Sequence, residues 1–387
     1  MKSSITKKYW ALALLFLLVL SSGCEPSLPV EQTTDQLIIH FIDVGQGDAV
    51  LIQFPSGKNM LIDGGSDTYA TTVIDYLQAQ GIKQLDYCIG THPHEDHIGA
   101  LDDVIRAFPV TQVYLPRVEH TTRTFENLVR AISDKGLKIR EAKAGVAIDV
   151  GPEASALIVA PLSSDYQDLN DWSVVLKVTY GQTAAIFTGD ADRISEQDMV
   201  ASDFDLQVDV LKVAHHGSRT SSSTDFLAKT QPQYAIISVG ADNSYGHPHR
   251  EAIERIADVG AKIFRTDRLG TIVFQSDGEK FSSQYDVYSE LELTVDRQEE
   301  IVTITNQGEE VVDLSGWILV SEVGEQRFTF PKSTRLSPGE EIQIVAGPRA
   351  TAGPKRIVWT DGYIWNNQYD PATLYSAEGV LVKRVAR

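Results

Sequence analysis

The stretch THPHEDHIGA, residues 91–100, constrains the fold more than any other part of this chain. It follows the apolar run LDYCIG and places three histidines and two carboxylates between His92 and His97. A tight loop after a strand directs His92 and His94 to one side, whereas Asp96 and His97 enter the next helix and face another. The pattern therefore predicts two metal ions a few ångströms apart. Imidazole and carboxylate ligands suit zinc, and also manganese or iron.

One loop cannot supply two coordination shells, so further ligands are expected where later strands end. Asp190 ends the run IFTGD, and His215 with His216 ends VLKVAHHGS. A turn aspartate after Gly189 and a core histidine at a strand end are the simpler readings. We expect Asp190 and one histidine of the pair to bind metal, with the other histidine as a supporting hydrogen-bonding group. Position relative to the strand end favours His215 as the ligand.

From Gln36 onward, short apolar runs that end in polar loops alternate with helical stretches. Examples are the runs LIIHF, LDYCIG and YAIISVG and the helical stretches Tyr69 to Gln80, IGALDDVIRAF and REAIERIADVG. Alternation over about 250 residues predicts a layered α/β domain whose loops at one sheet edge carry the chemistry. After residues 286–297 the sequence is strand-like and turn-rich, which predicts a small β-sandwich.

The N-terminus has the features of a signal peptide. Three early lysines precede the eleven-residue apolar run WALALLFLLVL, which ends at SSGC. A helix of that length rises only about 16 Å against roughly 30 Å of hydrocarbon, which disfavours a membrane-spanning helix. The stretch LSSGC resembles a bacterial lipobox, although Ser21 stands where a large aliphatic residue is usual. We expect residues 1–24 to be a lipoprotein signal peptide, with Cys24 lipidated and the protein anchored on the extracellular face of a bacterial membrane. Plain secretion is the alternative.

A wider set of motifs resembles a known family. HPHEDH matches the HxHxDH signature of the metallo-β-lactamase superfamily. Together with FIDVGQGDA, LIDGG, NDWSVVL, TGD, LKVAHHGS and GHPH, it resembles the extracytoplasmic hydrolase domain of ComEC-type DNA-uptake proteins. The match runs in order from about Leu37 to Ser283. It implies an αββα sandwich, two divalent metal ions (zinc or manganese) and hydrolysis of phosphodiester bonds, with DNA as one candidate substrate.

The resemblance assigns roles to individual residues. The metal ligands it implies are His92, His94, Asp96, His97, Asp190 as the bridging carboxylate, and His215 or His216. Many superfamily members supply a further histidine where this chain has Asn170 to Ser173. One metal would therefore have fewer protein ligands, and we expect Asn170 and Ser173 to contact substrate instead.

Other residues are candidates for substrate contact. Gly65 and Ser66 open one predicted helix, and Ser218 and Arg219 precede another; helix N-termini with small hydroxyl residues favour anions such as phosphate. Ordinary helix capping is the simpler reading of each.

Lys212, Arg219, His247 and His249 are candidates for contacting nonbridging oxygens or protonating the leaving alkoxide. In the mechanism that the resemblance implies, a metal-activated hydroxide oriented by Asp96 and Asp190 attacks phosphorus. Asp48 is expected to support the site.

The C-terminal part resembles the lamin-tail family of immunoglobulin-like sandwiches, through motifs such as VVDLSGWILV and LSPGEEIQI. We place the hydrolase domain at residues 35–285 and the tail at residues 291–385. The tail shows no catalytic set, so cell wall, nucleic acid or another protein are its candidate partners. Trp317 and Trp365 are expected in its core.

The favoured function is thus an extracellular, lipid-anchored nuclease or phosphodiesterase. The formal net charge of −19 disfavours loose electrostatic binding of nucleic acid. The segment from Lys212 to Arg268 has eight Lys/Arg against six Asp/Glu, which is not a long basic groove. Hydrolysis of cell-wall phosphoesters or lactones, and a noncatalytic metal-stabilised binding role, are the alternatives.

Overall fold

The computed structural model describes residues 35–283, 290–308, 310–366, 369–377 and 379–385. The expected signal peptide and the lipidation site Cys24 lie outside these ranges, so both stay predictions. Within the described ranges, none of the helices has the length and apolar character needed to cross a bilayer.

The strands of the described residues alternate with helices up to β15 and follow one another without helices after it. In chain order they are β1 (Leu37–Phe41), β2 (Val50–Gln53), β3 (Asn59–Ile62), β4 (Leu85–Ile89), β5 (Val110–Leu115), β6 (Ile139–Glu141), β7 (Ala147–Ile148), β8 (Ala154–Ala160), β9 (Val175–Tyr180), β10 (Thr183–Phe187), β11 (Val210–Lys212), β12 (Tyr234–Ile237), β13 (Lys262–Arg265), β14 (Ile272–Ser276), β15 (Phe281–Ser283), β16 (Leu291–Asp296), β17 (Ile301–Asn306), β18 (Val312–Asp313), β19 (Ile318–Ser321), β20 (Gln326–Thr329), β21 (Arg335–Leu336), β22 (Glu341–Val345), β23 (Arg356–Val358), β24 (Ala372–Tyr375) and β25 (Leu381–Val385).

Among the described residues, the helices all precede β14. They are α1 (Ala70–Ala79), α2 (Glu95–Ile98), α3 (Leu101–Ala107), α4 (Arg123–Asp134), α5 (Arg193–Ala201), α6 (Thr224–Thr230), α7 (Arg250–Asp258) and α8 (Thr266–Leu269), with short 3₁₀ turns at Asp67–Tyr69, Asn170–Trp172 and Ala214–Gly217.

Two large mixed sheets pack face to face. The first has the order β15-β14-β1-β2-β3-β4-β5-β6, and the second contains β13-β12-β11-β10-β9-β8-β7. The period-two alternation of strand side chains explains the layering. In β2, Val50 and Ile52 join the apolar layer between the sheets, whereas Leu51 packs with the outer helices. In β10, Phe187 lies in the central layer and Ile186 under the helices of the other face.

Helices cover both outer faces. Val73 of α1, Val104 of α3 and Leu128 of α4 pack on the first sheet, whereas Phe226 of α6 and Ile256 of α7 pack on the second. The resulting order of layers confirms the expected αββα sandwich.

The tail is β-rich, as expected, but one of its sheets continues a sheet of the hydrolase region. Strands β16-β17-β22-β23 form one sheet, whereas β20-β19-β24-β25 extends the second large sheet. Leu381 of β25 pairs antiparallel with Ile263 of β13 and joins the apolar layer under α7. Trp317 and Trp365 are buried, in line with core packing. The boundaries given above stay predictions.

Candidate metal centre

The loops that follow β3, β4, β10, β11 and β12 meet at one edge of the sandwich, and a carboxylate lies at their centre. Asp190 is only 3% exposed. Its Oδ1 lies 3.2 Å from Nε2 of His97 and 3.6 Å from Nε2 of His216. Its Oδ2 lies 3.9 Å from Nε2 of both His92 and His215. One buried carboxylate therefore faces four imidazoles, as a bridging group would.

Hydrogen bonds fix the ring orientation of two of these histidines. Nδ1 of His97 lies 2.8 Å from Oδ2 of Asp63, and Nδ1 of His216 lies 2.9 Å from the carbonyl oxygen of Ser238. A carbonyl oxygen and an ionised carboxylate only accept, so both Nδ1 atoms carry protons. In the neutral rings that bind a metal, Nε2 would therefore carry the lone pair and face Asp190, which is the usual way a protein prepares a histidine for a metal.

His92 and His94 form the other side of the cluster. Nε2 of His92 and Nδ1 of His94 are 2.9 Å apart. The remaining nitrogen of His92 lies 3.1 Å from Oγ1 of Thr91 and 3.3 Å from Oγ of Ser173. Two ring nitrogens thus converge, and the one from His92 lies 3.9 Å from Oδ2 of Asp190.

The residues fit a divalent metal by two independent observations. Several buried polar atoms of the cluster have no hydrogen-bond partner, which is rare and costly in a folded protein. They are Oδ1 of Asp48, Nε2 of His97, Oδ1 of Asn170, Oδ1 of Asp190 and Nε2 of His216. In addition, His92, His97 and Asp190 each offer a ligand atom within 4.8 Å of the others, and so do Asp96, His97 and His216.

The charges of the cluster support the same conclusion. Although burial lowers it, the carboxylates of Asp190, Asp48 and Asp96 raise the pKa of His216 to about 10. Conversely, although burial raises it, the neighbouring imidazoles of His97 and His216 hold the pKa of Asp190 well below its usual value. Carboxylates and cationic rings stabilise each other here, and a bound divalent cation would take over the role of those protons.

The geometry favours His216 over His215 as the ligand. His215 is partly exposed, and its Nδ1 lies 3.3 Å from Nδ2 of Asn170 and 3.4 Å from Oδ1 of Asp192. His216 is 1% exposed and faces Asp96 as well as Asp190. Both histidines adopt left-handed backbone conformations, with φ of 48° and 52°. Position along the strand could not predict which side chain such a turn directs inward.

Lys212 does not reach the cleft, which corrects its expected contact with substrate. It is 1% exposed, and its ammonium donates to Oδ2 of Asp48 at 2.7 Å and to the carbonyl of Val213 at 2.8 Å. Asp48 in turn lies 3.4 Å from Nδ1 of His216 through Oδ1. This ion pair therefore supports the ligand loops from beneath.

Three expected substrate-binding residues are also internal. Ser173 is fully buried, where its Oγ accepts from the amide of Asp190 at 3.1 Å. The amide of Gly65 is used by the carbonyl of Asp48 at 2.7 Å, and Ser218 is 5% exposed and bonded to Thr220. Asn170 and Ser66, in contrast, line the cavity over the cluster.

The two helix N-termini that were expected to bind phosphate are occupied by the chain's own carboxylates. Glu95 accepts from the amide of Asp67 at 3.0 Å. Glu196, which is 1% exposed, accepts from the amides of Ser222 and Ser223 at 2.5 and 2.8 Å. One amide at the first N-terminus and two at the second are therefore already used within the chain, and the expected phosphate contacts stay a prediction for the other amides.

The cavity over the cluster measures about 650 Å³. His94, Asp96, Asp190, His215 and His216 line it, together with Gln46, Ser66, Tyr69, Glu95, Asn170, Tyr245 and His247. Arg219 borders a neighbouring cavity of about 1000 Å³ instead. His249 precedes α7, and its Nδ1 accepts from the amide of Arg219 at 3.1 Å. Of the GHPH motif, therefore, His247 faces the cluster and His249 braces the adjacent loop.

Asp63 is a candidate site residue that the sequence did not single out. It is fully buried, and it holds both His97 and the loop start through Thr91 Oγ1 at 2.7 Å. The motif LIDGG could have predicted this residue, because it puts a carboxylate at the end of a strand beside the histidine loop.

Comparisons with known proteins agree with this geometry. The family model of the metallo-beta-lactamase superfamily matches residues 42–241, and that of the Lamin Tail Domain matches residues 282–387. ComE operon protein 3 of Bacillus subtilis (strain 168) is 31% identical over 254 residues, covering 61% of this chain and 33% of that protein. Competence protein ComA of Neisseria gonorrhoeae is 30% identical over 267 residues, covering 68% of this chain and 35% of that protein. The chain thus spans about a third of the length of these curated relatives.

Among solved structures, the metallo-beta-lactamase fold protein YhfI from Bacillus subtilis overlaps with a TM-score of 0.42 at 14% identity, covering 62% of this chain and 100% of that one.

Proposed function

The chain belongs to the metallo-beta-lactamase superfamily, and we propose that it is a ComEC-like, metal-dependent phosphodiesterase that acts on nucleic acid or its fragments. The convergence of buried, unpartnered nitrogen and oxygen atoms around Asp190 carries the proposal. Similarity to ComE operon protein 3 and competence protein ComA over the hydrolase region supports nucleic acid as the substrate class.

We assign two divalent ions, zinc or manganese, to the cluster. His92 and His94 would hold one ion, and Asp96, His97 and His216 the other, with Asp190 between them. When bound, such ions lower the pKa of a water molecule and polarise a phosphoryl oxygen. The partly open side at Asn170 would leave room for substrate, because an amide stands where many relatives have a histidine.

The remaining residues of the cleft orient the attacking water and the substrate, and they exclude other water. Asp96 and Asp190 accept hydrogen bonds from the attacking water. Burial and the nearby rings of His216 and His215 lower the pKa of His247 to about 4, so this ring is uncharged at neutral pH. The neutral ring can donate a hydrogen bond to a substrate oxygen. It is a weak candidate for protonating the leaving alkoxide.

The charge of the cleft limits the substrate. Among the described residues that line the cavity, none is Lys or Arg. A long duplex requires many phosphate contacts from basic residues. We therefore favour short or single-stranded phosphodiesters.

The proposed location is the extracellular face of a bacterial membrane, with Cys24 as the lipid anchor. We also propose that the tail binds cell wall, nucleic acid or another protein. One of its sheets continues a sheet of the hydrolase region. Labelling with a radioactive fatty acid, compared between the wild type and Cys24→Ser, tests the anchor.

The enzymatic proposal is tested with the full chain loaded with zinc or manganese. Bis(p-nitrophenyl) phosphate, single-stranded DNA and plasmid DNA are the substrates, and Asp190→Ala is compared with Asp75→Ala, a change on the exposed face of α1. We expect turnover that requires both metal and Asp190, with single-stranded DNA cleaved faster than plasmid. Activity that survives in Asp190→Ala, or that persists after chelation, contradicts the proposal.

Hydrolysis of a cell-wall phosphoester or a lactone is the second candidate. It is favoured by the lack of Lys and Arg among the described residues that line the cavity, which leaves the metal ions as the main binding group. Full metal occupancy without turnover of any nucleotide ester, but with turnover of a lactone or a teichoic-type phosphoester, would select it.

A further inference from the structure

One wall of the metal cavity carries an exposed aromatic ring. Tyr245 is 65% exposed, and one face of its ring stacks on His247, with centroids 5.7 Å apart and 21° between the planes. Both residues line the cavity over the candidate ligands. Because His247 covers one face of Tyr245, the other face is the one open to a ligand.

The loop that carries this ring is held in place. The side chain of Asn243 donates to the carbonyls of Gly240 and His247, at 2.8 and 2.7 Å, and accepts from the amide of His247 at 2.9 Å. Gly240 packs so closely on Gln46 that an added Cβ would lie 2.7 Å from the Gln46 amide nitrogen. A loop held in advance, with its ring already stacked on His247, loses less conformational entropy when a ligand stacks on that ring.

The platform also lies at a useful distance from the reacting centre. The ring of His247 is 5.4 Å from that of His215 and 6.2 Å from that of His216, measured between centroids. One ring contact joins Tyr245 to His247, and a second joins His247 to the candidate ligand His216. A flat group resting on Tyr245 would therefore belong to the residue at or next to the scissile bond.

Stacking on Tyr245 also offers a way to bind substrate in a cavity that has no Lys or Arg among its described lining residues. Since no Lys or Arg lines this cavity within the described residues, substrate groups outside the metal ions must be bound by other means. Aromatic rings bind nucleobases with little sequence preference, and only unpaired bases can stack in this way.

We propose that Tyr245, backed by His247, forms a stacking platform for one nucleobase next to the scissile phosphodiester, and that it selects unpaired nucleotides as substrates. This inference rests on the proposed phosphodiesterase function. It adds a binding subsite and a residue that determines specificity.

The test compares the thymidine dinucleotide TpT with its two analogues in which one thymine is replaced by hydrogen. The full metal-loaded chain hydrolyses each, and product is measured by liquid chromatography. For the analogue that lacks the stacked base, we expect kcat/KM of the wild type to be about tenfold lower than for TpT. This ratio corresponds to about 1.4 kcal/mol, in the lower range of stacking contributions. The difference should lie mainly in KM.

In Tyr245→Ala the ratio between TpT and that analogue should fall toward one, whereas Tyr245→Phe should keep it. Tyr363→Ala is the matched control, because this tyrosine is 72% exposed but lies in the tail, and it should also keep the ratio. A ratio that persists in Tyr245→Ala, or a wild type that does not distinguish the analogues, overturns the platform. If neither dinucleotides nor bis(p-nitrophenyl) phosphate are hydrolysed, the proposed function fails and the platform with it.

Discussion

Replacing Lys212 by methionine tests what holds the ligand loops together from beneath. The ammonium of Lys212 is buried and contacts Oδ2 of Asp48 at 2.7 Å. The other oxygen of Asp48 has no hydrogen-bond partner and lies 3.4 Å from Nδ1 of His216. Methionine has a similar length without the charge, so the variant leaves the Asp48 carboxylate buried without the ammonium that contacts it.

The expected loss follows from this burial. Removing one partner of a buried ion pair costs about 3–5 kcal/mol. In domains of moderate size each kcal/mol lowers Tm by about 2–4 °C, so the metal-free Lys212→Met protein should unfold at least about 6 °C below the wild type. Adding Asp48→Asn removes the unpaired charge and should recover much of the loss, with a coupling free energy of about 2 kcal/mol in a double-mutant cycle.

Calorimetry and urea denaturation of the metal-free full chain measure these changes. Lys229→Met, at an exposed position of α6, is the control. The alternative role of Lys212, contact with substrate, predicts the opposite pattern. If Lys212→Met unfolds at the wild-type temperature and loses only kcat/KM, the ion-pair argument is refuted.

Three further changes address other parts of the chain. Asp63→Asn removes the charged acceptor that orients His97, so metal affinity should fall roughly 10- to 100-fold in competition with a chromophoric chelator. Glu196→Ala leaves the buried amide of Ser222 and the partly buried amide of Ser223 without their acceptor, and the free energy of unfolding should fall by about 2–4 kcal/mol in urea titrations. Although burial raises it, the Arg384 guanidinium holds the pKa of Glu322 below its usual value. The contribution of this pair is therefore present above pH 4.5 and is lost as the pH falls through the lowered pKa, so Arg384→Met should weaken the acid dependence of Tm below pH 4.5.

The parts of the site that depend on local sequence could be predicted, and those that depend on distant contacts could not. The histidine loop after β4 is local, so its ligand types and spacing were readable. The amides at the two helix N-termini were misread because Glu95 and Glu196, which accept from them, lie 26 to 28 residues away along the chain. The role of Lys212 was missed for the same reason, since its partner Asp48 is brought to it only by the packing of the two sheets.

Helix α7 connects the cleft to the tail, and this bears on how the tail can act. His247 and His249 directly precede the helix, and at its other end Asp258 accepts from Arg384 of β25 at 2.8 Å. Arg384 also donates to Glu322 of the tail at 2.8 Å, while β25 covers the edge of β13. Separating the tail would break these ion pairs and expose an unpaired strand edge, which favours aggregation. A ligand bound by the tail would therefore act on a body that includes the metal cleft, and a chain cut before residue 291 is a poor substitute for the full protein in any assay of this site.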